Sequence, residues 1–485
     1  MSSHLHQRIG LILGAAVFAA MLLAPPPEGF SVAAWRTAAV TALMAIWWAT
    51  EALPIAATAL VPLAALPLLK IAPAAAAAAP YANTTIFLIL GGFLVALAME
   101  RWQLHQRLAL NIVVRSGAHP RALVFGFMAA TAFLSMWVST TSTTLMMLPV
   151  ALSVAAVVEP ASGAGATRDT HNFNTALMLG IAYAASIGGL GTLIGTPTNA
   201  IAVAFVHEQY GIDIGFADWM RFGLPTVAVL LPLAWWLLVG VLLRFELGSG
   251  ESSARVVRDS LEALGRMTPP ERRVALVFAV LATAWIVRPW LQALPGLGGL
   301  SDMGLAVLAG LSLFLLPSGA GGRLLDATDL RRIPWDVMLL FGGGLSLAAA
   351  IDSSGLSVRI GESLAVAGSW PWFALIGAIV VLVVLWTELT SNVATVSTVL
   401  PILAAVAAAT AHPPLALILP AAMAGSCAFM LPVATPPNAI VYGTGRVSMG
   451  SMVRTGFWLN LVAAAALCAL ATILLADARL PPVTH

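Results

Sequence analysis

Residues 133–149 read FLSMWVSTTSTTLMMLP and residues 385–401 read LWTELTSNVATVSTVLP. In both stretches a cluster of Ser, Thr or Asn interrupts an apolar segment, and a proline follows ten residues after a central serine, Ser139 or Ser391. Polar clusters and proline disfavour an uninterrupted apolar helix. Each stretch is therefore predicted to form two half-helices that meet at a polar tip.

The composition of the whole chain indicates where such segments reside. Of its 485 residues, 60% are hydrophobic and 9% are charged, whereas a soluble domain carries roughly 25% charged residues. So few charged side chains do not cover the surface of a soluble protein this large, which excludes a soluble enzyme, a nucleic-acid-binding protein and a disordered chain. We predict an all-α polytopic protein of the plasma or inner membrane.

Apolar segments with the roughly 20 residues that a span needs occur at eleven places: 9–24, 33–50, 55–72, 84–100, 175–206, 222–244, 271–290, 301–317, 335–352, 415–442 and 452–477. The two interrupted stretches, 122–158 and 371–409, are additional. Backbone that leaves a helix at membrane depth must be buried in protein or line a cavity, so we interpret these stretches as re-entrant hairpins. Two ordinary spans in each stretch are the alternative.

The basic residues favour one orientation in the membrane. If the N-terminus is cytoplasmic and both hairpins return to the side they entered, seventeen of the 23 Lys and Arg residues fall on the cytoplasmic side, as expected for cytoplasmic loops. Residues 244–270 are rich in arginine and are predicted to form a cytoplasmic amphipathic linker. This linker separates an N-terminal half, 1–243, from a C-terminal half, 271–485.

The two halves repeat three motifs in the same order. FLILGGFL at 87–94 corresponds to MLLFGGGL at 338–345, the two polar clusters correspond at an offset of 252, and GTPTNAI at 195–201 corresponds to ATPPNAI at 434–440. Five predicted spans separate equivalent elements, so the second copy has the opposite orientation in the membrane. Inverted repeats with broken helices are the architecture of secondary transporters.

The polar clusters and the Thr-Pro-x-Asn motifs supply groups that suit both a cation and an anion. Half-helix N-termini favour an anion, and freed carbonyls with hydroxyl and amide oxygens suit a hard cation such as sodium. Isolated Ser and Thr in apolar helices usually serve helix packing, but two aligned clusters beside prolines favour a binding site. The hydroxyl and amide groups belong to Ser135, Ser139, Thr140, Thr141, Thr387, Thr390, Ser391, Asn392 and Thr435.

Fixed positive charges are missing from the elements that would form this site. No Arg or Lys occurs at 122–167, 169–220 or 360–445. A dianion at the centre of the membrane would be costly without compensation, so bound cations are the expected source of positive charge.

Carboxylates in the apolar segments have several possible roles. Glu388 precedes the second cluster, and it is a candidate proton site, a charge that tunes cation affinity, or a carboxylate satisfied by neighbouring hydroxyl and N–H groups. Glu51, Glu100 and Asp352 lie near segment ends and are predicted to be interfacial.

The motifs resemble those of the divalent-anion:sodium symporter family. The resemblance rests on WATEALP at 48–54, on the paired Ser-Asn-Thr-like tips and on the two Thr-Pro-x-Asn-Ala-Ile motifs, and it covers almost the whole chain. It implies a homodimer that carries dicarboxylates, tricarboxylates or sulfate, usually with sodium. It also implies an elevator-type movement of a transport domain against a dimerising scaffold.

The resemblance implies specific binding residues. The first sodium site would use Ser135, Ser139, Thr140 and the Gly195 backbone, and the second would use Thr387, Thr390, Asn392 and the Ala434 backbone. The substrate would contact Ser139, Thr140, Thr141, Ser391, Asn392, Val393 and Thr435. The sequence departs from the family pattern at Thr140, where Asn is usual, at Val393, where Thr is usual, and at Thr198, where Pro is usual.

The predicted function is sodium-coupled symport of a small dianion, a C4-dicarboxylate such as succinate, malate or fumarate. A sodium-independent dicarboxylate exchanger and a sulfate symporter are the alternatives within transport. A membrane-embedded hydrolase would need a nucleophile with a nearby base, or a metal cluster, and the apolar segments contain neither pattern. No enzymatic activity, no nucleic-acid partner and no cofactor besides coupling sodium ions are therefore predicted.

Overall fold

The computed structural model describes residues 2–158, 167–248, 250–363, 370–410 and 412–476. In these ranges the regular structure is helical, apart from one isolated β-bridge between Pro317 and Arg323. Eight of the helices are long and apolar enough to cross a membrane. The prediction of an all-α polytopic membrane protein is confirmed.

The N-terminal region contains five helices: α1 (Ser2–Leu23), α2 (Val32–Ala49), α3 (Ile55–Thr58), α4 (Val61–Leu68) and α5 (Ala74–Ala78). Helix α2 packs against α1 and is capped by Ser31, whose Oγ accepts a hydrogen bond from the Ala34 N–H at 3.0 Å. The predicted span 55–72 is two short helices, with Pro54 at the start of α3 and Pro62 at the start of α4. Proline suits the first turn of a helix but interrupts a preceding one.

Seven helices follow and are called the first set: α6 (Thr84–Arg101), α7 (Leu104–Arg115), α8 (Pro120–Ser135), α9 (Thr140–Val158), α10 (Arg168–Gly189), α11 (Pro197–Tyr210) and α12 (Phe216–Trp236). A π-helical turn at Leu237–Leu242 extends α12. Helix α10 is buried from Phe173 to Gly189. It packs closely on α8, because a side chain at Gly188 would meet the backbone of Ala132.

Three helices connect the two sets: α13 (Glu251–Ala263), α14 (Pro269–Gln292) and α15 (Asp302–Leu315). The predicted amphipathic linker contains α13, which packs against α7 and α9 and buries Val257. Helix α14 begins with a capping box of Thr268 and Glu271, and the Arg107 Nε of α7 donates to the Glu271 carboxylate at 2.5 Å.

The second set also has seven helices: α16 (Trp335–Ser353), α17 (Leu356–Ser363), α18 (Trp372–Thr387), α19 (Asn392–Thr410), α20 (Pro414–Ala424), α21 (Pro436–Gly443) and α22 (Met449–Ala476). Its order matches that of the first set. A short helix comes second, a helix-turn-helix pair third and fourth, two helices separated by an irregular segment fifth and sixth, and a long helix last.

Four irregular segments interrupt the two sets at equivalent positions. Residues 136–139 join α8 to α9, and residues 388–391 join α18 to α19. Together with the helix residue on either side they form the first tip, 135–140, and the second tip, 387–392. Residues 190–196, the first unwound segment, separate α10 from α11, and residues 425–435, the second unwound segment, separate α20 from α21. The breaks predicted at the polar clusters are therefore present. The predicted spans 175–206 and 415–442 are wrong as continuous helices, because each is interrupted before a second helix that begins at Pro197 or Pro436.

Ion pairs join the end of α6 to the segment that precedes α16. Arg101 pairs with Asp326 at 2.9 Å and with Asp329, and Arg332 lies 3.3 Å from Glu100. The last turn of α6 thus lies beside the start of its equivalent helix.

Candidate functional site

A cavity of about 830 Å³, called the central cavity, lies where the two tips meet the two unwound segments. The hairpins contribute polar groups from Ser139, Thr140, Thr141, Ser142, Ser391 and Asn392, and the unwound segments contribute Thr196 and Thr435. Apolar side chains, among them Phe93, Ile194 and Val393, complete the lining. Both halves of the chain therefore supply similar groups to one space.

Four helices begin at this cavity. Thr140 starts α9, Asn392 starts α19, Pro197 starts α11 and Pro436 starts α21, and all four residues line the cavity. The positive end of each helix dipole lies at the cavity. In α21 the dipole acts without free N–H groups, because Pro436 and Pro437 have none and the Asn438 N–H donates to the Thr435 Oγ1. Four such ends favour an anion between them.

Most of the predicted site residues line the central cavity, and three do not. All seven predicted substrate residues line the cavity, as do five of the predicted sodium ligands: Ser139, Thr140, Gly195, Asn392 and Ala434. The other three, Ser135, Thr387 and Thr390, do not line it, and Ser135 and Thr387 are fully buried.

Hydrogen bonds hold the first tip against α10 and the first unwound segment. The Ser135 Oγ donates to the Ala185 carbonyl, and the Thr192 Oγ1 donates to the Met136 carbonyl. The Ser139 Oγ accepts from the Ser142 N–H at 3.1 Å and so caps α9.

The second tip is held through an amide as well as hydroxyls. The Thr387 Oγ1 lies 2.7 Å from the Asn392 Oδ1 and 2.8 Å from the Gly425 carbonyl oxygen. The Thr390 Oγ1 lies 2.6 Å from the Thr395 Oγ1. Thr387 thus connects the second tip to the second unwound segment.

The Glu388 carboxylate binds N–H groups of the second unwound segment. Its carboxylate accepts hydrogen bonds from the backbone N–H of Phe429 at 2.6 Å, Met430 at 2.9 Å and Leu431 at 3.1 Å, and from the Asn460 Nδ2 at 2.7 Å. Of the three roles considered for Glu388, this geometry matches a carboxylate satisfied by neighbouring N–H groups. The role was weighed from the sequence, but its partners were not identified.

Hydroxyl groups join the first unwound segment and the start of α11 to the second unwound segment. The Thr198 Oγ1 lies 2.6 Å from the Ser426 Oγ, and the Thr196 Oγ1 lies 3.4 Å from the same atom. All three residues are buried. Thr198 is one of the departures from the family pattern, and its equivalent in the second set is Pro437.

Charged residues also line the central cavity: Glu51, Glu100, Arg332 and Asp336. Glu51 and Glu100 were predicted only to be interfacial, and Arg332 was not identified as a site residue. Arg332 is half exposed and lies 3.3 Å from Glu100 and 3.9 Å from Asp329. The signal that could have identified this pair is the inverted repeat itself, since it places the end of α6 beside the start of α16.

The segment before α16 is fixed by Asp326. Hydrogen bonds from the Thr328 side chain and N–H, and then the Arg101 guanidinium, lower the pKa of the Asp326 carboxyl to about 2. The carboxylate therefore remains ionised at neutral pH and keeps its contacts with Arg101.

Comparison with known proteins identifies the family. Residues 5–475 match the family described as the sodium:sulfate symporter transmembrane region. The chain belongs to this family of membrane transporters. The resemblance to divalent-anion:sodium symporters that the motifs indicated is confirmed.

Two staphylococcal relatives align over most of their length. The chain is 40% identical over 466 residues to the sodium-dependent dicarboxylate transporter SdcS of Staphylococcus saprophyticus, which covers 95% of this chain and 90% of the relative. It is 40% identical over 471 residues to SdcS of Staphylococcus aureus strain USA300, covering 94% and 89%.

A solved structure has a similar fold. The YdaH transporter of Alcanivorax borkumensis superposes with a TM-score of 0.52 over 97% of both chains, at 14% sequence identity. At this identity the likeness concerns the fold alone. Because the family consists of transporters, the chain is a transporter rather than an enzyme, as predicted.

Proposed function

We propose that this protein is a sodium-coupled symporter of a C4-dicarboxylate such as succinate, malate or fumarate. The observation that carries the proposal is the meeting of four helix N-termini and both polar tips in one cavity of about 830 Å³. The names of the two SdcS relatives, sodium-dependent dicarboxylate transporters, support the same substrate and coupling ion.

A dicarboxylate suits two similar half-sites that line the same cavity. We expect one carboxylate to interact with Ser139, Thr140 and Thr141 and the other with Ser391 and Asn392. Hydroxyl, amide and helix N-terminal N–H groups are donors for carboxylate oxygens. Val393 and Thr435 would complete the second side.

Two sodium ions would bind behind the substrate. The proposed ligands of the first are Ser135, Ser139, Thr140 and the Gly195 backbone, and those of the second are Thr387, Thr390, Asn392 and the Ala434 backbone. The bond between Thr387 and Asn392 supports the second set, since it brings two of these oxygens to 2.7 Å from each other.

A pair of buried amide oxygens further supports cation binding. The Asn199 Oδ1 and the Asn438 Oδ1 accept no hydrogen bond from the described residues, although both Nδ2 groups donate to carbonyls of the adjacent unwound segment. Buried oxygens normally have a partner. One such oxygen next to each half-site is an atom of the kind that a sodium ion binds.

The balance of charge favours symport over sodium-independent exchange. Among the described residues that line the central cavity, Arg332 alone carries a fixed positive charge, and Glu100 and Asp329 offset it. Each helix N-terminus contributes about half a positive charge, whereas the substrate brings two negative charges and Glu388 adds another. At least two bound cations are expected, and by linkage cation and substrate each raise the affinity for the other.

Transport would follow an elevator mechanism in a homodimer. The two sets of helices would form an inverted repeat, within the halves 1–243 and 271–485 on either side of the linker 244–270. The proximity of the last turn of α6 to the start of α16 supports opposite orientations of equivalent helices. Sodium would bind first and order the tips, which discourages the carrier from crossing with sodium but without substrate.

The decisive experiment is succinate uptake by purified protein in proteoliposomes over a range of sodium concentrations. We expect a sigmoidal dependence on sodium, no uptake when potassium or choline replaces it, and competition by malate and fumarate. Strong competition by sulfate with weak competition by fumarate would favour a sulfate symporter. Uptake indifferent to sodium but dependent on an internal dicarboxylate would replace symport with exchange.

A labelling experiment tests the orientation separately. The N-terminus and the linker 244–270 are proposed to be cytoplasmic, and residues near 210 to be outside. In a variant without Cys427 and Cys468, cysteines introduced in the linker should react only from the cytoplasm, and cysteines near 210 only from outside. Labelling of the linker from outside, or of residues near 210 from the cytoplasm, would overturn the proposed orientation.

A further inference from the structure

A second cavity, of about 490 Å³, is lined by four arginines and shares no lining residue with the central cavity. We call it the arginine cavity. Arg121 comes from α8, Arg168 from α10, Arg454 from α22, and Arg244 follows the π-helical turn after α12. Two carboxylates, Asp169 and Glu246, also line it, so the positive charges are in excess.

The arginines keep most of their hydrogen-bond donors available. In the described part of the chain, neither Arg168 nor Arg454 has a hydrogen-bond or ion-pair partner, and both are exposed. Among the described residues, the Arg121 guanidinium donates only to the Phe245 carbonyl at 3.3 Å, and the Arg244 guanidinium only to the Gly240 carbonyl at 2.6 Å. Each guanidinium has five N–H donors in a fork that matches phosphate oxygens.

The direction of nearby helices adds to the positive potential. Arg121 and Arg168 lie in the first turns of α8 and α10, and Arg454 lies in the second turn of α22. The positive ends of three helix dipoles therefore lie near this cavity. An anion with several oxygens is the ligand that these groups suit.

Apolar surface continues from the cavity along two helices. On α12, Leu233, Trp236 and Val241 are exposed and lead toward Arg244. On α22, Phe457, Trp458 and Leu461 are exposed at helical spacing after Arg454. Helices α12 and α22 pack against each other, so the two exposed stripes lie on neighbouring helices.

A free anion has no apolar part that could contact these stripes, whereas a phospholipid has both a phosphate headgroup and apolar acyl chains. We infer that the arginine cavity binds the headgroup phosphate of an anionic phospholipid, whose acyl chains lie along the exposed surface of α12 and α22. Basic pockets between membrane helices recognise such headgroups, and tryptophans at the level of the headgroups are typical of membrane interfaces. All four arginines fall on the predicted cytoplasmic side.

Lipid binding to the full-length protein in detergent tests this inference. The probes are dioleoylphosphatidylglycerol, its zwitterionic counterpart dioleoylphosphatidylcholine with no net charge, and inorganic phosphate, with bound lipid counted by native mass spectrometry. We expect the wild type to retain phosphatidylglycerol in preference to phosphatidylcholine, and millimolar phosphate not to displace it. The double variant Arg168→Gln/Arg454→Gln should bind phosphatidylglycerol roughly thirtyfold more weakly, from about fivefold for each basic residue.

The matched control removes the same charge elsewhere. Arg255 and Arg258 are exposed on α13 and line none of these cavities, so Arg255→Gln/Arg258→Gln should change phosphatidylglycerol binding by less than about twofold. If the double variant does not elute as a folded protein, the single variant Arg454→Gln should still show the smaller, roughly fivefold loss. Equal binding by wild type and variants, equal losses in test and control, or displacement of the lipid by phosphate would overturn the assignment.

Discussion

The first and second unwound segments share one set of hydrogen bonds and differ in another. The Asn199 Nδ2 donates to the carbonyls of Gly189 and Thr192, and the Asn438 Nδ2 donates to those of Ala428 and Leu431. The two sets of acceptors are equivalent at the same offset as the Thr-Pro-x-Asn motifs. The asparagine in each motif therefore closes the same turn in both halves, which is a structural reason for its presence there.

The two unwound segments also differ in the hydrogen bonds that they make with neighbouring elements. In the first, donors satisfy carbonyls: the Trp219 Nε1 donates to the Leu190 carbonyl at 2.9 Å and Thr192 donates to that of Met136. In the second, the Glu388 carboxylate accepts three backbone N–H groups. The equivalent of Glu388 is Met136, so of the two tips the second alone has a carboxylate at this position. We expect the second half-site to hold its cation more tightly.

The two tips differ in the same sense. The Asn392 amide oxygen belongs to a bonded pair with Thr387. At the equivalent position Thr140 has only a hydroxyl, and its backbone carbonyl accepts from Thr144 as in an ordinary helix. The second tip is the more highly connected of the two.

The largest effect is expected from Asn392→Ala. This change removes the amide oxygen that bonds Thr387 together with two N–H donors, and the loss of two such interactions corresponds to at least about a hundredfold lower uptake. The matched change Thr140→Ala removes one hydroxyl and should lower uptake by only about tenfold. Initial rates of succinate uptake at equal protein content measure both, and equal losses would remove the proposed difference between the tips.

The next effect is expected from Glu388→Gln. The side chain keeps its size but loses its charge, and its new NH₂ group faces backbone N–H donors, so we expect the sodium concentration for half-maximal uptake to rise about tenfold. The control Met136→Leu should leave the sodium dependence unchanged. Sodium titrations of uptake test this, and an unaltered midpoint in a folded Glu388→Gln protein would show that the charge does not act on the cation.

The sequence alone was sufficient to predict the breaks at the two tips, but not the hydrogen bonds that hold the tips in place. Polar clusters in apolar runs and the Thr-Pro motifs are local features, and both tips and both unwound segments occur where those features are. The partners of Glu388 lie 41 to 43 residues away, apart from Asn460 at 72.

The charged lining of the central cavity was missed for the same reason. Arg332 meets Glu100 across 232 residues, and hydropathy describes each segment separately. Contacts of this kind depend on how helices pack, which one sequence does not encode locally.

A smaller effect is expected from Thr198→Pro, which gives the first turn of α11 the residue found at the equivalent position of α21. The backbone should accept proline, because Pro437 occupies the same position in the first turn of α21, where the N–H has no intrahelical acceptor. The loss of the Thr198–Ser426 hydrogen bond should cost about 1 kcal/mol of stability.

Thermal unfolding in detergent with sodium measures this cost. Ser426→Ala should produce a similar loss, and the double variant should lose little more than either single change, because both remove the same bond. Fully additive losses would mean that the two hydroxyls do not stabilise each other.

The smallest effect is expected from Thr140→Asn, which makes the first tip resemble the second. Thr140 lines the central cavity at the start of α9, where asparagine is readily accommodated, and its hydroxyl makes no hydrogen bond with a described residue, so little is lost by replacing it. The added amide supplies an oxygen for the first cation and donors for the substrate. Uptake should stay within about threefold of the wild type, with a lower sodium midpoint, since one amide–ligand bond is gained.

The reciprocal change, Asn392→Thr, should raise the midpoint and reduce uptake less than Asn392→Ala does. Competition by malate, fumarate and sulfate in both variants would reveal any change of substrate preference. If Thr140→Asn instead abolished uptake by a folded protein, the first tip would require threonine at this position. The two half-sites would then differ in kind, and not only in the number of groups that bind cation and substrate.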